Sequence, residues 1–180
     1  MDRDLSRILA DDYLRELSQI SVTRLRELRG ECQLIETQLS YLRRLVQGRH
    51  DIATGEIDRR RHGGSPSDVS DLVDQLPKIL SDRIHAPGSG RMPSVMEPGE
   101  ISGRLVTELE AITDAALLDT PDQVTDGDLA RAAEQLAALE VEVSSLRRSL
   151  FDRIDALQGE LTRRYRDGET TVDELLAGAD

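Results

Sequence analysis

The chain has 180 residues, with 23 lysines and arginines against 35 aspartates and glutamates, so its formal net charge is −12. It contains no tryptophan, one phenylalanine and three tyrosines, and this shortage of aromatic residues argues against a β-sandwich or barrel. The acidic balance also disfavours binding to the phosphate backbone of DNA or RNA, because such binding needs clustered cations.

The basic residues are almost all arginine, since Lys78 is the single lysine. The planar arginine fork donates two parallel hydrogen bonds, so specific recognition of a small ligand stays open despite the acidic total. The single cysteine, Cys32, excludes an internal disulfide and a cysteine-based zinc site. No apolar run approaches about 18 residues and the N-terminal segment is charged, so we expect a cytoplasmic protein without a membrane segment or signal peptide.

Residues 1–20 form an N-terminal segment in which Leu5–Leu17 is predicted to become helical only on a partner. Residues 21–62 are predicted to form a long helix with Ser21 as its N-cap and Gly63 at its end. Apolar residues alternate in steps of three and four along this helix, which is the pattern of a coiled-coil seam. The seam consists of Leu25, Leu28, Cys32, Ile35, Leu39, Leu42 and Val46.

Residues 63–124 are predicted to hold short helices and a flexible linker. Val69–Leu80 is amphipathic and is expected to bend at Pro77. The stretch His85–Gly99 contains three prolines and three glycines, which is typical of a linker. Ile101–Leu118 has helical periodicity again.

Residues 125–167 are predicted to form the second long helix, with Asp126 and Asp128 in its first turn, where the helix dipole favours negative charge. The remaining residues, 168–180, form a tail in which Thr171–Leu176 is expected to become helical only on a partner. The second seam consists of Leu136, Leu139, Val143, Leu146, Leu150, Leu157 and Leu161, with Arg153 at one seam position.

These elements predict an all-α fold: an antiparallel coiled-coil hairpin with short additional helices and a flexible linker rich in proline and glycine. A swapped dimer would satisfy the same seams. Neither alternative is excluded by the apolar pattern.

The two long helices share polar residues as well as apolar ones when the chain is shifted by 104 positions. The shift aligns Ile35–Asp51 with Leu139–Asp155, and farther on it aligns Gly55-Glu56 and Arg59-Arg60 with their equivalents. Exposed coiled-coil positions normally vary freely, so the repeated polar residues need an explanation that the apolar matches do not. The polar matches are Glu36 with Glu140, Ser40 with Ser144, Arg43 with Arg147, Arg44 with Arg148, Arg49 with Arg153 and Asp51 with Asp155.

Steps of four, three, four and four along the first helix place one set of residues in one stripe beside the hydrophobic seam: Glu36, Ser40, Arg43, Gln47 and Asp51. In an antiparallel pair the two stripes are related by an approximate twofold axis, which suits a twofold-symmetric ligand. An arginine fork matches the O6/N7 edge of guanine, and a carboxylate accepts from guanine N1–H and its exocyclic amine. A guanine dinucleotide therefore fits the pattern. Ordinary side-chain pairing within each helix, or an old duplication without a ligand, remains the alternative.

The repeated pattern E-x3-S-x2-R-x3-Q-x3-D resembles the motif of the RsiG family of actinobacterial anti-sigma factors, in the two-motif form found in streptomycetes. The first copy is complete, with Gln47 between the arginine and the aspartate. The second copy has Phe151 where glutamine is expected. The resemblance covers the two long helices and extends to the rest of the chain only through general layout.

The resemblance implies an antiparallel helical hairpin that binds an intercalated dimer of cyclic di-GMP. The loaded protein is then expected to sequester a WhiG-type sigma factor, related to flagellar sigma factors, and so to repress sporulation genes. By this resemblance the ligand-binding residues are Glu36, Ser40, Arg43, Gln47, Asp51, Glu140, Ser144, Arg147 and Asp155. Further contacts to phosphate, or supporting contacts, are expected from Arg44, Arg49, Arg148, Phe151 and Arg153.

The other candidate sites are weaker. His50, His62 and His85 are far apart, so no metal site is expected, and Cys32 is predicted to be a buried small hydrophobe. No nucleotide-binding loop, nucleophile elbow or zinc-protease pattern is present, and we expect no enzyme and no resident cofactor. A coiled-coil scaffold without a nucleotide ligand is the alternative function.

Overall fold

The computed structural model describes residues 1–63, 103–113, 117 and 119–168. Across these ranges the chain forms four α-helices and no strand: α1 (Asp2–Leu9), α2 (Val22–Arg61), α3 (Arg104–Ile112) and α4 (Asp126–Arg166). A 3₁₀ turn, Pro121–Gln123, precedes α4. The predicted all-α fold is confirmed. The predicted helices Val69–Leu80 and Thr171–Leu176 and the predicted linker 85–99 lie outside the described residues.

The two long helices pack side by side in opposite directions. Arg26, near the start of α2, donates to Tyr165 at the end of α4, while Arg60 at the end of α2 pairs with Asp126 at the start of α4. Every predicted seam residue of α2 is buried, and Cys32 is among them. The α4 seam is buried too, except that Leu146 and Arg153 are half-buried. Each fully buried leucine stabilises the hairpin by about 1.5–3 kcal/mol, so the seam holds the two helices together.

The ends of the long helices follow the predicted signals. Ser21 Oγ accepts a hydrogen bond from the Arg24 amide at 3.1 Å, and Thr125 Oγ1 accepts one from the Asp128 amide at 3.2 Å. Just past the helix ends, Gly63 and Gly168 adopt left-handed backbone conformations with φ of 68° and 73°. The predicted Ser21 N-cap is confirmed, and the Thr125 cap is a further finding, at the residue where the second helix is predicted to begin.

The N-terminal segment differs from the prediction of a helix over Leu5–Leu17 that forms only on a partner. The helix α1 ends at Leu9, and Leu5 and Ile8 are buried against the hairpin of the same chain. Residues 11–19 form turns, with Glu16 at a φ of 57°. The prediction was wrong because the long helices themselves supply the apolar surface that orders α1.

The N-termini of α1 and α3 meet on the hairpin. Asp2 Oδ2 accepts a hydrogen bond from the Arg104 amide at 2.7 Å, and so one short helix caps the other. Gly103 precedes α3 with a φ of 148°, and a Cβ atom there would lie 2.5 Å from Asp2 Oδ1. The positive φ favours glycine here, and a Cβ atom would also displace the Asp2 carboxylate from the Arg104 amide.

Two arginines latch the ends of the hairpin in equivalent ways. Arg164 donates to the carbonyls of Ile20 and Leu17, both at 2.6 Å, just before α2 begins. Arg60 donates to the carbonyls of Val124 at 2.8 Å and Pro121 at 3.0 Å, just before α4 begins. Both arginines and all four acceptors correspond under the shift of 104 positions. The internal repeat therefore reaches beyond the long helices into the turns that precede them.

Candidate functional site

The two copies of the polar pattern meet across the hairpin. Arg43 Nε donates to Glu140 Oε1 at 2.7 Å and to Ser144 Oγ at 2.9 Å. In the equivalent contact, Arg147 donates to Glu36 Oε1 from Nε at 3.2 Å and from Nη2 at 2.9 Å. Each arginine thus binds the glutamate of the other copy, because the antiparallel register places residue 43 opposite 140 and residue 36 opposite 147.

The two serines lie between these ion pairs, next to the approximate twofold axis. Ser40 Oγ donates to Glu36 Oε1 at 2.5 Å, and Ser144 Oγ donates to Glu140 Oε1 at 3.1 Å. Each glutamate therefore accepts from a serine on its own helix and from an arginine on the other helix. The arrangement fixes the carboxylates, and through them it fixes the arginines.

The cluster is half-buried and neutral overall, since it holds two arginines and two glutamates. The side chains of Glu36 and Arg147 are 17% and 21% exposed, against 25% and 35% for Glu140 and Arg43. Among the described residues, Arg43 makes hydrogen bonds through Nε alone. Its two terminal amino groups are therefore available for a ligand with paired acceptors.

The remaining motif positions extend the cluster in both directions. Gln47 Nε2 donates to Glu140 Oε1 at 3.2 Å, so it joins the Arg43 side of the cluster. Asp51 and Asp155 are exposed and lie on the same stripes. Each lies eight residues beyond its motif arginine, which is about 12 Å along the helix. The structure therefore places the aspartates at the two outer ends of the cluster and not at its centre.

Arg44 and Arg148 adjoin the cluster as exposed cations. Within the described ranges neither forms a hydrogen bond or an ion pair. They are equivalent under the repeat, so each half of the cluster has one arginine held by a glutamate and a neighbouring arginine directed to solvent.

Arg49 and Arg153 are not brought to the cluster. Arg49 donates to the Leu109 carbonyl at 3.3 Å and to Thr113 Oγ1, at the end of α3. Arg153 donates to the Leu9 carbonyl at 3.2 Å, at the end of α1. Six residues separate each of them from its motif arginine, and six residues rotate a helix by about 240°. In the structure both therefore bind the C-terminal ends of the short helices.

Phe151 takes the place that Gln47 has in the other half. Its ring is 44% exposed, and Arg147 Cζ lies 5.5 Å from the ring centroid. The two halves of the cluster therefore match in arginine, glutamate and serine but differ at this position.

The repeat also contains a glutamate followed by two arginines near the end of each long helix. These residues stabilise the helix ends and do not join the cluster. Glu160 accepts from Arg163 at 2.9 Å and from Arg164 at 2.8 Å, and Glu56 accepts from Arg59 and Arg60 at 2.7 and 2.6 Å. The sequence repeat alone could not separate these pairs from the cluster, because both consist of arginine and glutamate at repeated spacing. The antiparallel register distinguishes the two groups, because only the glutamates of the cluster lie opposite an arginine of the other copy.

The described residues contain no group of histidine, cysteine, aspartate and glutamate able to hold a metal ion. Burial raises the pKa of the Cys32 thiol, which agrees with its predicted role as a core residue. The cluster itself offers arginine donors, carboxylate and amide acceptors, and one exposed aromatic ring. Such groups are able to form hydrogen bonds with a ligand that carries both donors and acceptors.

Comparison with known proteins gives one family. A family model described as RsiG-like matches residues 11–80 and 118–179, which together exceed half of the chain. The search of curated proteins gave no match. None of the described helices is both long and apolar enough to span a membrane.

Proposed function

The chain belongs to the RsiG-like family and is an anti-sigma factor of that family, and from this premise we propose that it is controlled by cyclic di-GMP. In this proposal the arginine–glutamate cluster binds an intercalated dimer of the dinucleotide. The loaded protein then sequesters a WhiG-type sigma factor and represses sporulation genes. The observation that carries the proposal is the crossed pair of Arg43–Glu140 and Arg147–Glu36 contacts.

The geometry of the cluster supports a twofold ligand. Glu36 is opposite Arg147, so the two motif arginines are separated by seven residues, or about 10 Å along the hairpin. Four stacked bases at a spacing of about 3.4 Å span a similar length. The free amino groups of Arg43 match the O6/N7 edge of guanine. A ligand with two equivalent halves thus fits two half-sites that match in arginine, glutamate and serine.

The charge balance supports a role for the sigma factor in ligand binding. A dimer of cyclic di-GMP carries four phosphate charges, and the chain already has a net charge of −12. The cluster is neutral, so the nearest compensating cations are Arg44 and Arg148. Two cations offset half of the phosphate charge, and we expect the sigma factor to provide the rest. Reciprocal linkage then requires cyclic di-GMP to raise the affinity for the sigma factor by the same factor.

A scaffold without a ligand is the second candidate, and the ion pairs across the hairpin are the observation that favours it. Half-buried ion pairs between two helices fix the register of a coiled coil whether or not a ligand binds. The scaffold and the ligand-binding protein differ in what happens when both motif arginines are removed.

Removal of both motif arginines tests whether the cluster binds the ligand. We expect Arg43→Ala/Arg147→Ala to reduce cyclic di-GMP affinity at least 100-fold while the protein stays helical, because each arginine supplies charge-assisted hydrogen bonds worth about 1.5–3 kcal/mol. The measurement is isothermal titration calorimetry with and without the sigma factor, with circular dichroism to verify helicity.

The matched control is Arg24→Ala/Arg131→Ala, which removes one exposed arginine from each long helix outside the cluster. The control should bind cyclic di-GMP as the wild type does. A pulldown of the sigma factor with and without cyclic di-GMP tests the second step. Equal recovery in both conditions would count against ligand control. Unchanged cyclic di-GMP binding by the cluster variant would place the ligand outside the cluster, and no binding by the wild type would favour the scaffold.

A further inference from the structure

Phe151 is the one phenylalanine of the chain, and it is a poor candidate for a purely structural residue. It lies outside the buried seam, and 44% of its surface is exposed. Leu150, its neighbour in sequence, is fully buried and fills the seam position. The ring therefore contributes little to the hairpin core, although leaving an aromatic face in water is unfavourable.

The surroundings of Phe151 differ from those of its equivalent, Gln47. Gln47 donates to Glu140 and so occupies part of the hydrogen-bonding capacity of that carboxylate. Phe151 makes no such bond, and Arg147 binds Glu36 through two nitrogens where Arg43 uses one to bind Glu140. The half-site with Phe151 thus presents fewer free donors and one open aromatic face.

We infer that Phe151 is a stacking platform for one nucleobase of the bound dinucleotide and that the two half-sites recognise their bases differently. The Arg43 half-site reads a base edge through hydrogen bonds. The Arg147 half-site holds a base face against the ring, with the guanidinium 5.5 Å from the ring centroid polarising the stack. This inference rests on the proposed function, because it specifies how that same site holds its ligand.

The expected effects follow from the strength of base stacking on aromatic side chains. Removing one stacked ring costs about 1–3 kcal/mol, so Phe151→Ala should weaken cyclic di-GMP binding about 5- to 150-fold. Phe151→Leu keeps an apolar side chain but has no aromatic face, so it should show a similar loss. Phe151→Gln completes the second motif, and it should weaken binding as well because the stack is lost.

The absence of tryptophan from the chain allows a direct test. Phe151→Trp introduces the single indole of the protein at the proposed platform, and Gln47→Trp is the matched control at the equivalent position. Each variant is titrated with cyclic di-GMP, and fluorescence and calorimetric heat are followed together, with and without the sigma factor. We expect Phe151→Trp to bind with near wild-type affinity and its fluorescence to be quenched by the stacked base. Gln47→Trp should bind more weakly, since it loses the amide.

The outcomes separate the inference from the proposed function. If the wild type binds cyclic di-GMP but Phe151→Leu and Phe151→Gln bind equally well, Phe151 is not a platform. Binding by Phe151→Trp without quenching overturns the inference in the same way. If the wild type binds no cyclic di-GMP, alone or with the sigma factor, the proposed function fails and the inference fails with it. Thermal unfolding of each variant establishes that a loss of binding is not a loss of fold.

Discussion

At the residue scale, arginine–glutamate pairs have two roles in this chain, depending on where they lie. Glu36 and Arg147 bind across the hairpin, where the pair is part of the candidate site. Glu160 and Arg164 bind along one helix, where the pair holds an arginine that reaches across to the turn before α2 at the same end of the hairpin. The side chain of Arg164 is only 7% exposed, so its partners must satisfy a nearly buried charge.

The Glu160 carboxylate gives a prediction of pH dependence. Hydrogen bonds from Arg163 and then Arg164 lower the pKa of Glu160 from 4.5 to about 2. Since the folded pKa is depressed, the ionised group stabilises the fold above about pH 4.5, and this contribution is lost as the pH falls from 4.5 towards 2. We expect Glu160→Gln to be less stable than the wild type at pH 7 and the difference to shrink below pH 4.

Urea unfolding followed by circular dichroism across this pH range is the measurement. Glu134→Gln, at an exposed position on the same helix, is the control and should follow the wild-type profile. A stability difference for Glu160→Gln that is independent of pH would show that the ionised carboxylate is not the stabilising group.

At the element scale, the two N-caps offer a matched pair of substitutions. Ser21 and Thr125 occupy equivalent repeat positions, and each accepts an amide hydrogen bond from the first turn of its helix. Ser21→Ala and Thr125→Ala should each lower the free energy of unfolding by about 1 kcal/mol. Because the caps lie at opposite ends of the hairpin, the double variant should show the sum of the two effects.

Chemical denaturation of the single and double variants is the measurement for the caps. Ser145→Ala, at an exposed position in the middle of α4, is the control and should be neutral or slightly stabilising, since alanine is the better helix former. A strong departure from additivity would indicate that the two ends of the hairpin are coupled.

Much of the element-scale structure could be predicted because it is local. The heptad spacing is sufficient to identify Leu39 and Val46 as buried, and Ser21 is recognised as an N-cap from its position before the periodic run. The motif residues could be grouped on one stripe for the same reason. The extent of α1 could not be predicted, because its end at Leu9 depends on a surface that distant residues provide.

The roles of the other repeated arginines depend on tertiary contacts. The sequence alone gives no reason to prefer Arg44 over Arg49 as a phosphate contact. Their difference depends on where α3 packs, and no local pattern contains that information. Which repeated positions belong to the cluster thus became evident only from the register and packing of the helices.

At the scale of the whole molecule, the two repeats form one hairpin whose interface runs the length of both long helices. We expect the chain to remain assembled after cleavage at a protease site inserted within residues 64–102, because the buried seam and both arginine latches join the two halves without that segment. Size-exclusion chromatography with light scattering should give the mass of the intact 20.0 kDa chain after cleavage.

A matched variant tests the cause of this association. Leu39→Glu/Val143→Glu places two charges at the centre of the buried seam and should separate the halves once the chain is cut. Separation of the cleaved wild type would mean that the hairpin depends on its covalent connection.

The long separation in sequence between the two paired helices also has a consequence for protein synthesis. Arg60 in the first half needs the carbonyls before α4, and the buried face of α2 needs α4 itself, which ends at Arg166. About a hundred residues separate the ends of the two long helices, so at 5–20 residues per second α2 leaves the ribosome roughly 5–20 s before its partner is complete. During that interval its leucine seam lacks α4, so we expect the nascent chain to be open to chaperone binding or to pairing with another copy.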